Sequence, residues 1–344
     1  MRKMVLAVVV ATAVLVLGGQ AAWACGGLVA PNGAVRLLNT TTLVAYHDGV
    51  EHYLTSFQFA GGGSKFGSII PLPGVPTSVS KGGSWTLQRL EREVNPPVVH
   101  AGPSFGSAAR ASAAQVILKT KVDALDITVL KGGGPAVVAW VKAQGFAVSP
   151  DAPAAFDFYA RRSPIFLAAT YDPAAAQARG LTVGDGTPVQ ISIPLANPWV
   201  PLRILALGKD PDDVVQADVF LLTDHSPSVL TGPGVSLARS EPASSSLLGD
   251  LRSDHGMGWV PDSGWLSYYK VQAPAGQLRY DMAIDASGVG QPSLVAAGLV
   301  SVRLAITLPS RRWTGWDDAG AGVLAIVVVV FVGLARRRSR RLFF

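Results

Sequence analysis

A run of seventeen residues without a charge, Ala319 to Ala335, constrains this chain more than any other feature of its sequence. As a helix this run is about 26 Å long, slightly less than the hydrocarbon thickness of about 30 Å. Five arginines follow it within residues 336–341, and Trp313 and Trp316 precede it. Arginine clusters stay on the cytoplasmic side of a membrane, and tryptophans prefer its interfaces. We therefore predict a transmembrane helix at 319–335 and a basic cytoplasmic tail at 336–344.

The amino-terminal segment has the three regions of a secretory signal peptide. Arg2 and Lys3 precede an apolar run over residues 4–17, and Ala-Trp-Ala at 22–24 supplies the small residues of a cleavage site. The run is too short to span a membrane comfortably, which favours a cleaved signal. An uncleaved signal anchor is the alternative, and it would leave the rest of the chain on the same side of the membrane.

The two ends together predict a single-pass protein of the cell membrane, with its ectodomain outside and the lipid bilayer as a partner. The predicted boundaries are a signal peptide at 1–24, an extracytoplasmic domain at 25–310, a juxtamembrane linker at 311–318, then the membrane helix and the tail. Residues 96–112 are rich in Pro, Gly, Ser and Ala, and they are a candidate boundary within the domain.

The net charge of +6 would suit a nucleic-acid binder, but the positions of the charges argue against that class. Seven of the 29 Lys and Arg residues lie in the two terminal segments, which contain no acids. The remainder carries 22 bases against all 23 acids, so it is close to neutral. We therefore expect no nucleic-acid partner.

Cys25 is the only cysteine of the sequence, so neither an intrachain disulfide nor a cysteine-based zinc cluster can form. Packing of the core must supply the stability. Cleavage after Ala24 would place Cys25 first in the mature chain, where bacterial lipoproteins carry their lipid. Ala22 and Trp23 depart from the Leu and the small residue usual before such a cysteine, and the fate of Cys25 stays open.

Residues 34–60 have the pattern of a β-hairpin, with Asp48-Gly49 as a type I′ turn. His47 and His52 share one face in that register. The opposite face carries the core candidates Val44, Tyr46, Tyr53, Phe57 and Phe59. A further strand over Phe66–Leu72 is predicted to follow.

Three short helices are predicted. Leu87, Leu90 and Val94 have helical spacing in the first, for which Ser84 is the expected cap. The second begins at Pro135 and presents Val137, Trp140 and Val141 inward, and the third covers Ala154–Ala160.

Most of the remaining segments have strand patterns, and residues 226–264 are predicted to be long polar loops. The predicted strands are Gln115–Val122, Asp126–Leu130, Ile165–Tyr171, Pro188–Pro194, Leu202–Leu207, Val214–Leu222, Leu278–Ile284 and Leu299–Leu308. The fold class is therefore α+β, mainly antiparallel β-sheet with a few short helices.

Several of these segments together resemble a bacterial family known as domain of unknown function family 2330. The segments that carry the resemblance are Ala24–Gly27, Phe66–Pro73, Ile127–Leu130, Trp140-Val141, Gly145-Phe146, Tyr159 and Pro201–Ile204. The resemblance implies the same architecture, a signal peptide and a membrane helix around an ectodomain. The chain departs from it near Ser68, where a tryptophan is expected. The family has no established activity, so the resemblance implies no functional residues.

The densest polar cluster of the ectodomain surrounds the hairpin turn. His47 and His52 are diagonal neighbours within about 8 Å in the predicted register, and Asp48 could add a third metal ligand. Zinc normally takes at least three ligands from the protein, and only the two histidines are firm candidates. A solvated turn is therefore the interpretation we favour, with no cofactor and no metal expected.

Other motifs fit catalysis poorly. Gly-Pro-Ser-Phe-Gly at 102–106 matches the hydrolase string around Ser104, but it lies in a low-complexity connection without the strand-to-helix elbow. Residues 61–65 lack the spacing of a phosphate loop. His225 and His255 each follow an aspartate, but adjacent residues on an extended chain face opposite ways.

No catalytic residue can be assigned from these patterns. We expect a noncatalytic ectodomain that binds an envelope protein or a polymer. The alternative is a hydrolase or metal-dependent enzyme acting outside the cytoplasm, with site residues scattered in sequence. His47, His52, His225 and His255 would be the first candidates for such a site.

Overall fold

The structure, a computed structural model, describes residues 27–29, 36–60, 66–95, 115–172 and 188–300. These residues belong to one compact unit, Met1–Val302, and a second unit, Arg303–Phe344, lies outside the described residues. The predicted signal peptide, membrane helix and tail also lie outside them, as do Cys25 and Ser104. Within the described ranges, no helix combines the length and the apolar character needed to span a membrane.

The described residues form fifteen strands and four α-helices. The strands are β1 (Gly27–Val29), β2 (Arg36–His47), β3 (Val50–Ala60), β4 (Phe66–Leu72), β5 (Ser78–Lys81), β6 (Gln115–Val122), β7 (Leu125–Lys131), β8 (Ile165–Tyr171), β9 (Val189–Pro194), β10 (Trp199–Val200), β11 (Val214–Thr223), β12 (Ser228–Leu230), β13 (Val235–Pro242), β14 (Trp265–Pro274) and β15 (Met282–Asp285). The helices are α1 (Thr86–Val94), α2 (Gly134–Ala143), α3 (Ala152–Ala160) and α4 (Ser245–Ser253), with 3₁₀ helices at Arg203–Ala206 and Ala275–Gln277.

Three sheets organise these strands. Seven strands form the largest, in the order β13-β14-β11-β2-β3-β9-β5, and five form the second, in the order β1-β4-β8-β7-β6. The third is β10-β15-β12. Among the described strands only β2 and β11 pair in parallel. The predicted class, an α+β fold of mainly antiparallel sheet, is confirmed for this part of the chain.

The predicted hairpin is confirmed in turn and in register. Asp48 and Gly49 have φ angles of 50° and 75°, as a type I′ turn requires, and Tyr46 pairs with Glu51. Both faces of the hairpin are buried near the middle of its strands, although only the aromatic face is predicted to belong to the core. Val44 and Tyr53 belong to the larger core, whereas Leu43 and Leu54 belong to a second core with residues of α1 and α4. The sequence predicts the first core only.

The helix prediction at Leu87 is confirmed, but the cap is not Ser84. Helix α1 begins at Thr86, and Leu87 and Leu90 are buried. The carboxylate of Asp254 accepts hydrogen bonds from the amides of Ser84, Trp85 and Thr86 and from the Thr86 hydroxyl. A side chain some 170 residues away therefore satisfies the first amides of the helix.

The predicted strand Leu202–Leu207 is wrong, because residues 203–206 form a 3₁₀ helix. The amides of Leu202 and Arg203 donate to the carboxylate of Asp281, both at 2.9 Å, and the Ile204 amide donates to the Tyr159 hydroxyl at 2.8 Å. These side-chain acceptors take the N–H groups that a strand would offer to its neighbour. The predicted strand Leu278–Ile284 is likewise shortened, since β15 begins at Met282.

The predicted polar loops at 226–264 are also wrong, since β12, β13 and α4 lie there. Strand β13 pairs with β14 through its backbone while many of its side chains remain exposed, so it shows no apolar alternation. Helix α4 begins after Ser244, whose hydroxyl accepts the Leu247 amide at 3.1 Å. Only residues 299–300 of the predicted strand Leu299–Leu308 are described, and they form a bend.

A buried ion pair ties several of these elements together. The Arg162 Nη2 atom, just after α3, lies 2.5 Å from a carboxylate oxygen of Asp281, and the exposed side-chain fractions are 6% and 0%. The Tyr159 hydroxyl donates to the same carboxylate at 2.9 Å. Asp281 thus joins α3, the 3₁₀ helix at 203–206 and the segment before β15.

Candidate binding cleft

The hairpin histidines have separate partners. The His47 Nδ1 atom lies 2.7 Å from Asp224, and its Nε2 atom lies 3.5 Å from Asp48. His52 stacks on Trp259 with ring centroids 3.9 Å apart, and its Nδ1 atom lies 3.3 Å from the Ser192 hydroxyl. Burial, together with the nearby His47, lowers the pKa of His52 to about 4. His52 is therefore neutral at physiological pH.

The backbones of the two remaining candidates, His225 and His255, and the side chain of the neighbouring Asp254 accept hydrogen bonds within the fold. Asp254 caps α1, and although burial acts to raise its pKa, the hydrogen bonds from Trp85, Thr86 and Ser84 lower it. The carbonyl of His255 accepts the Gly83 amide, and that of His225 accepts the Thr223 hydroxyl. Within the described ranges, no group of three or more His, Cys, Asp or Glu residues could hold a metal ion.

A cleft of about 430 Å³ opens elsewhere on the molecule. The start of α3 forms one wall, the segment 203–211 forms the second, and the segment 275–279 forms the third. Its apolar lining includes Ala155, Leu207 and Leu278. The cleft has the size of a small-molecule site.

Three cationic side chains line this cleft, Arg203, Lys209 and Arg279. The Arg203 guanidinium stacks 4.1 Å from the centroid of the Phe158 ring, and its Nη1 atom lies 3.5 Å from the Arg279 carbonyl oxygen. The Arg279 Nε atom donates to the Gly276 carbonyl at 3.1 Å. Neither arginine forms an ion pair with an acid among the described residues. Both guanidinium groups are therefore oriented by neutral neighbours.

Lys209 and Asp151 complete the charges of the cleft. Burial lowers the pKa of Lys209 from its usual value of 10.5, and Asp213 acts in the opposite direction with a smaller effect. Asp151 is the one acid in the lining, and its carboxylate accepts the Gly208 amide at 3.1 Å. Gly208 has a φ of 70°, a conformation that glycine adopts readily. Cations thus outnumber acids in the lining by three to one.

Comparison with known proteins places the chain in a family. Residues 19–228, more than half of the chain, match the sequence model of a family described as "uncharacterized protein conserved in bacteria (DUF2330)". The chain belongs to this family. No curated protein matches the DUF2330 chain. Among solved structures, the crystal structure of baculovirus P35 matches it with 11% identity and a TM-score of 0.33, covering 73% of this chain and 94% of that one. That TM-score is too low to support an argument about fold or function.

The residues matched by the family model include only part of the cleft of the DUF2330 chain. Arg203 and Lys209 lie within the matched residues, whereas Arg279 lies beyond them. Sequence reasoning missed the cleft because its cations come from segments about 70 residues apart. The pattern of Leu202 and Ile204, both buried, also favoured a strand over the 3₁₀ helix that presents Arg203.

Proposed function

We propose that this DUF2330 protein is a noncatalytic binding protein displayed outside the cytoplasm and held to the cell membrane by its carboxyl-terminal segment. The cleft beside α3 is the proposed ligand site. The observation that carries the proposal is the combination of an apolar floor, formed by Ala155, Leu207 and Leu278, with three cationic residues in a volume of about 430 Å³. Ligand sites typically pair such apolar surface with a few polar groups that set orientation.

The chemistry of the cleft favours binding over catalysis. Hydrolysis by nucleophilic catalysis needs a nucleophile within hydrogen-bond reach of a base. Among the described residues that line the cleft there is no Ser, Thr, Cys, His or Glu. The side chains that are present, two arginines, a lysine and an aspartate, instead suit the recognition of a charged ligand.

The membrane attachment rests on the sequence. The seventeen-residue apolar run, the arginines after it and the tryptophans before it are typical of a single-pass anchor with the cytoplasm at its carboxyl end. We expect the full-length chain to sediment with membranes and to require detergent for release. A chain that lacks residues 319–344 should instead be recovered in the soluble fraction. Recovery of the full-length chain in buffer without detergent would contradict the anchor.

A cleft-filling substitution tests the ligand site. Ala206 lines the cleft and is half-buried, so Ala206→Trp should occupy the volume available to a ligand. We expect at least one of three compound classes, neutral polyols, carboxylates or phosphate esters, to bind the full-length chain in detergent, and Ala206→Trp to weaken that binding at least about tenfold. Isothermal titration calorimetry measures the affinity.

The matched control is Lys119→Gln, which changes an exposed cation on β6 that does not line the cleft. It should leave every affinity unchanged. If no class binds, or if Ala206→Trp binds as tightly as the parent chain, the cleft is not the ligand site.

A further inference from the structure

We infer that the cleft takes a phosphate monoester of a small organic alcohol, whose phosphoryl group is held by Arg203, Lys209 and Arg279. The inference rests on the proposed function and names the chemical class of its ligand. Three properties of the cleft support it: its charge, its set of donors and its apolar residues.

The charge of the cleft suits a dianion. Three cations face one acid in the lining, and that acid, Asp151, already accepts the Gly208 amide. A phosphate monoester carries about −1.5 to −2 charges at neutral pH, whereas a carboxylate carries one. Burial lowers the pKa of the half-buried Lys209 more than Asp213 raises it. Asp213 therefore does not fully offset the cost of burying the Lys209 ammonium. An anion of two charges would balance the charges of the lining.

The donors also match a phosphoryl group. An arginine presents a planar fork of N–H donors that pairs with two oxygens of a phosphate or carboxylate, and a lysine adds a point charge. The cleft holds two such forks and one ammonium. Phe158 and the Arg279 carbonyl orient the Arg203 fork. The Nη groups of Arg279 have no acceptor among the described residues. Three cationic donors correspond to three terminal oxygens of a phosphate, and a carboxylate has only two oxygens.

The α3 helix adds to the positive potential. It begins at Ala152, runs for nine residues and contributes Ala154 and Ala155 to the wall. The amino-terminal end of a helix carries a partial positive charge, which favours an anion nearby. This effect supplements the three side chains and does not replace them.

The apolar floor favours a ligand that carries an organic group beside its phosphate. A volume of about 430 Å³ is far larger than one phosphoryl group needs, and Ala155, Leu207 and Leu278 offer apolar surface beside the charges. An organic alcohol esterified to the phosphate would cover this surface, and a second hydroxyl of the ligand would donate a hydrogen bond to the exposed Asp151 carboxylate. Inorganic phosphate alone would leave the floor in contact with water.

The test compares four compounds on the full-length chain in detergent: glycerol 3-phosphate, glycerate, glycerol and inorganic phosphate. Charge-assisted hydrogen bonds contribute about 1.5–3 kcal/mol each, which corresponds to roughly tenfold or more in affinity. We expect glycerol 3-phosphate to bind at least about tenfold more tightly than each of the other three. Titration calorimetry gives all four affinities.

Two substitutions locate the phosphoryl group. Arg279→Gln changes an exposed residue and should fold normally, and Arg203→Gln removes the oriented fork. Each should weaken glycerol 3-phosphate at least about tenfold while leaving glycerol unchanged, and Lys119→Gln should change neither. Melting temperatures without ligand check that each variant is folded. Equal affinities for glycerol 3-phosphate and glycerate, or an unchanged affinity in Arg279→Gln, would overturn the inference.

Two outcomes separate this inference from the proposed function. If glycerate or glycerol binds best and Ala206→Trp abolishes that binding, the cleft is a ligand site and only the phosphate assignment fails. If none of the compound classes binds, both fail. Nanodiscs with and without phosphatidic acid distinguish the source of the phosphate. Competition with glycerol 3-phosphate by the lipid supports a lipid headgroup, and binding of the free ester without such competition supports a soluble ligand.

Discussion

Replacing Asp281 with asparagine should lower the free energy of unfolding by about 3–5 kcal/mol, because the substitution leaves the buried guanidinium of Arg162 without a counter-ion. Burial raises the pKa of Asp281, although Arg162 and the hydrogen-bond donors around the carboxylate act in the opposite direction. Asparagine keeps the shape of the side chain and one acceptor for the Leu202 and Arg203 amides. The lost stability therefore reports mainly on the charge.

Urea unfolding monitored by tryptophan fluorescence measures this effect. The matched comparison is a double-mutant cycle with Arg162→Met, which removes the partner charge while keeping much of the apolar contact with the rings of Phe158, Tyr159 and Trp199. The double variant should be less destabilised than the sum of the two single variants. Strict additivity would show that the pair does not act as a unit.

Replacing Glu51 with methionine should have the opposite sign and raise the free energy of unfolding by about 1–3 kcal/mol at neutral pH. The Glu51 side chain is 0% exposed, and neither carboxyl oxygen has a hydrogen-bond partner among the described residues. It lies on the inner face of β3, between Tyr46 on β2 and Ile193 on β9. Methionine has a similar length and needs no such partner.

The same residue predicts a pH dependence of stability. Burial raises the pKa of Glu51 well above its usual value of 4.5, so the folded state keeps a proton that the unfolded state releases. The contribution of Glu51 to stability is therefore fully present below about pH 4.5. It is lost progressively as the pH rises from there towards the folded-state pKa, with a slope of at most about 1.4 kcal/mol per pH unit.

Denaturation curves between pH 4 and pH 8 test both statements about Glu51. The advantage of Glu51→Met over the parent chain should grow with pH. Glu51→Gln is the matched control, since it removes the titration but retains a polar group in the same buried place. The free energy of unfolding of Glu51→Gln should depend on pH as weakly as that of Glu51→Met, and it should be lower than that of Glu51→Met. A parent profile parallel to that of Glu51→Met would contradict a raised pKa of Glu51 in the folded protein.

Glu51 also illustrates the limits of sequence reasoning. An acid two residues beyond an Asp-Gly turn belongs, by local criteria, to an exposed hairpin tip. The structure buries it because β9 pairs with β3 on the side away from β2. The contact joins residues about 140 apart, and the backbone preferences of the hairpin contain no information about it.

The same division holds for the helices and for the segment that lines the cleft. The helical face of α2, with Val137, Trp140 and Val141 buried, was predictable because its period and its Pro135 are local signals. The alternation around Ile204 was ambiguous, because a buried strand and a 3₁₀ helix can both bury the same apolar side chains. The 3₁₀ helix forms because the Asp281 carboxylate accepts hydrogen bonds from the amides of Leu202 and Arg203.

What the sequence determined by itself about this protein was therefore local: the type I′ turn, the faces of the hairpin strands, the predicted helices and the α+β class. These follow from backbone preferences and from side-chain periodicity over a few residues. Only the tertiary structure decided which polar groups are buried and which cations meet in the cleft, because both depend on pairings between distant segments. Those pairings are stabilised by burial and by hydrogen bonds such as those of Asp254 and Asp281, whose partners lie roughly 80 to 170 residues away.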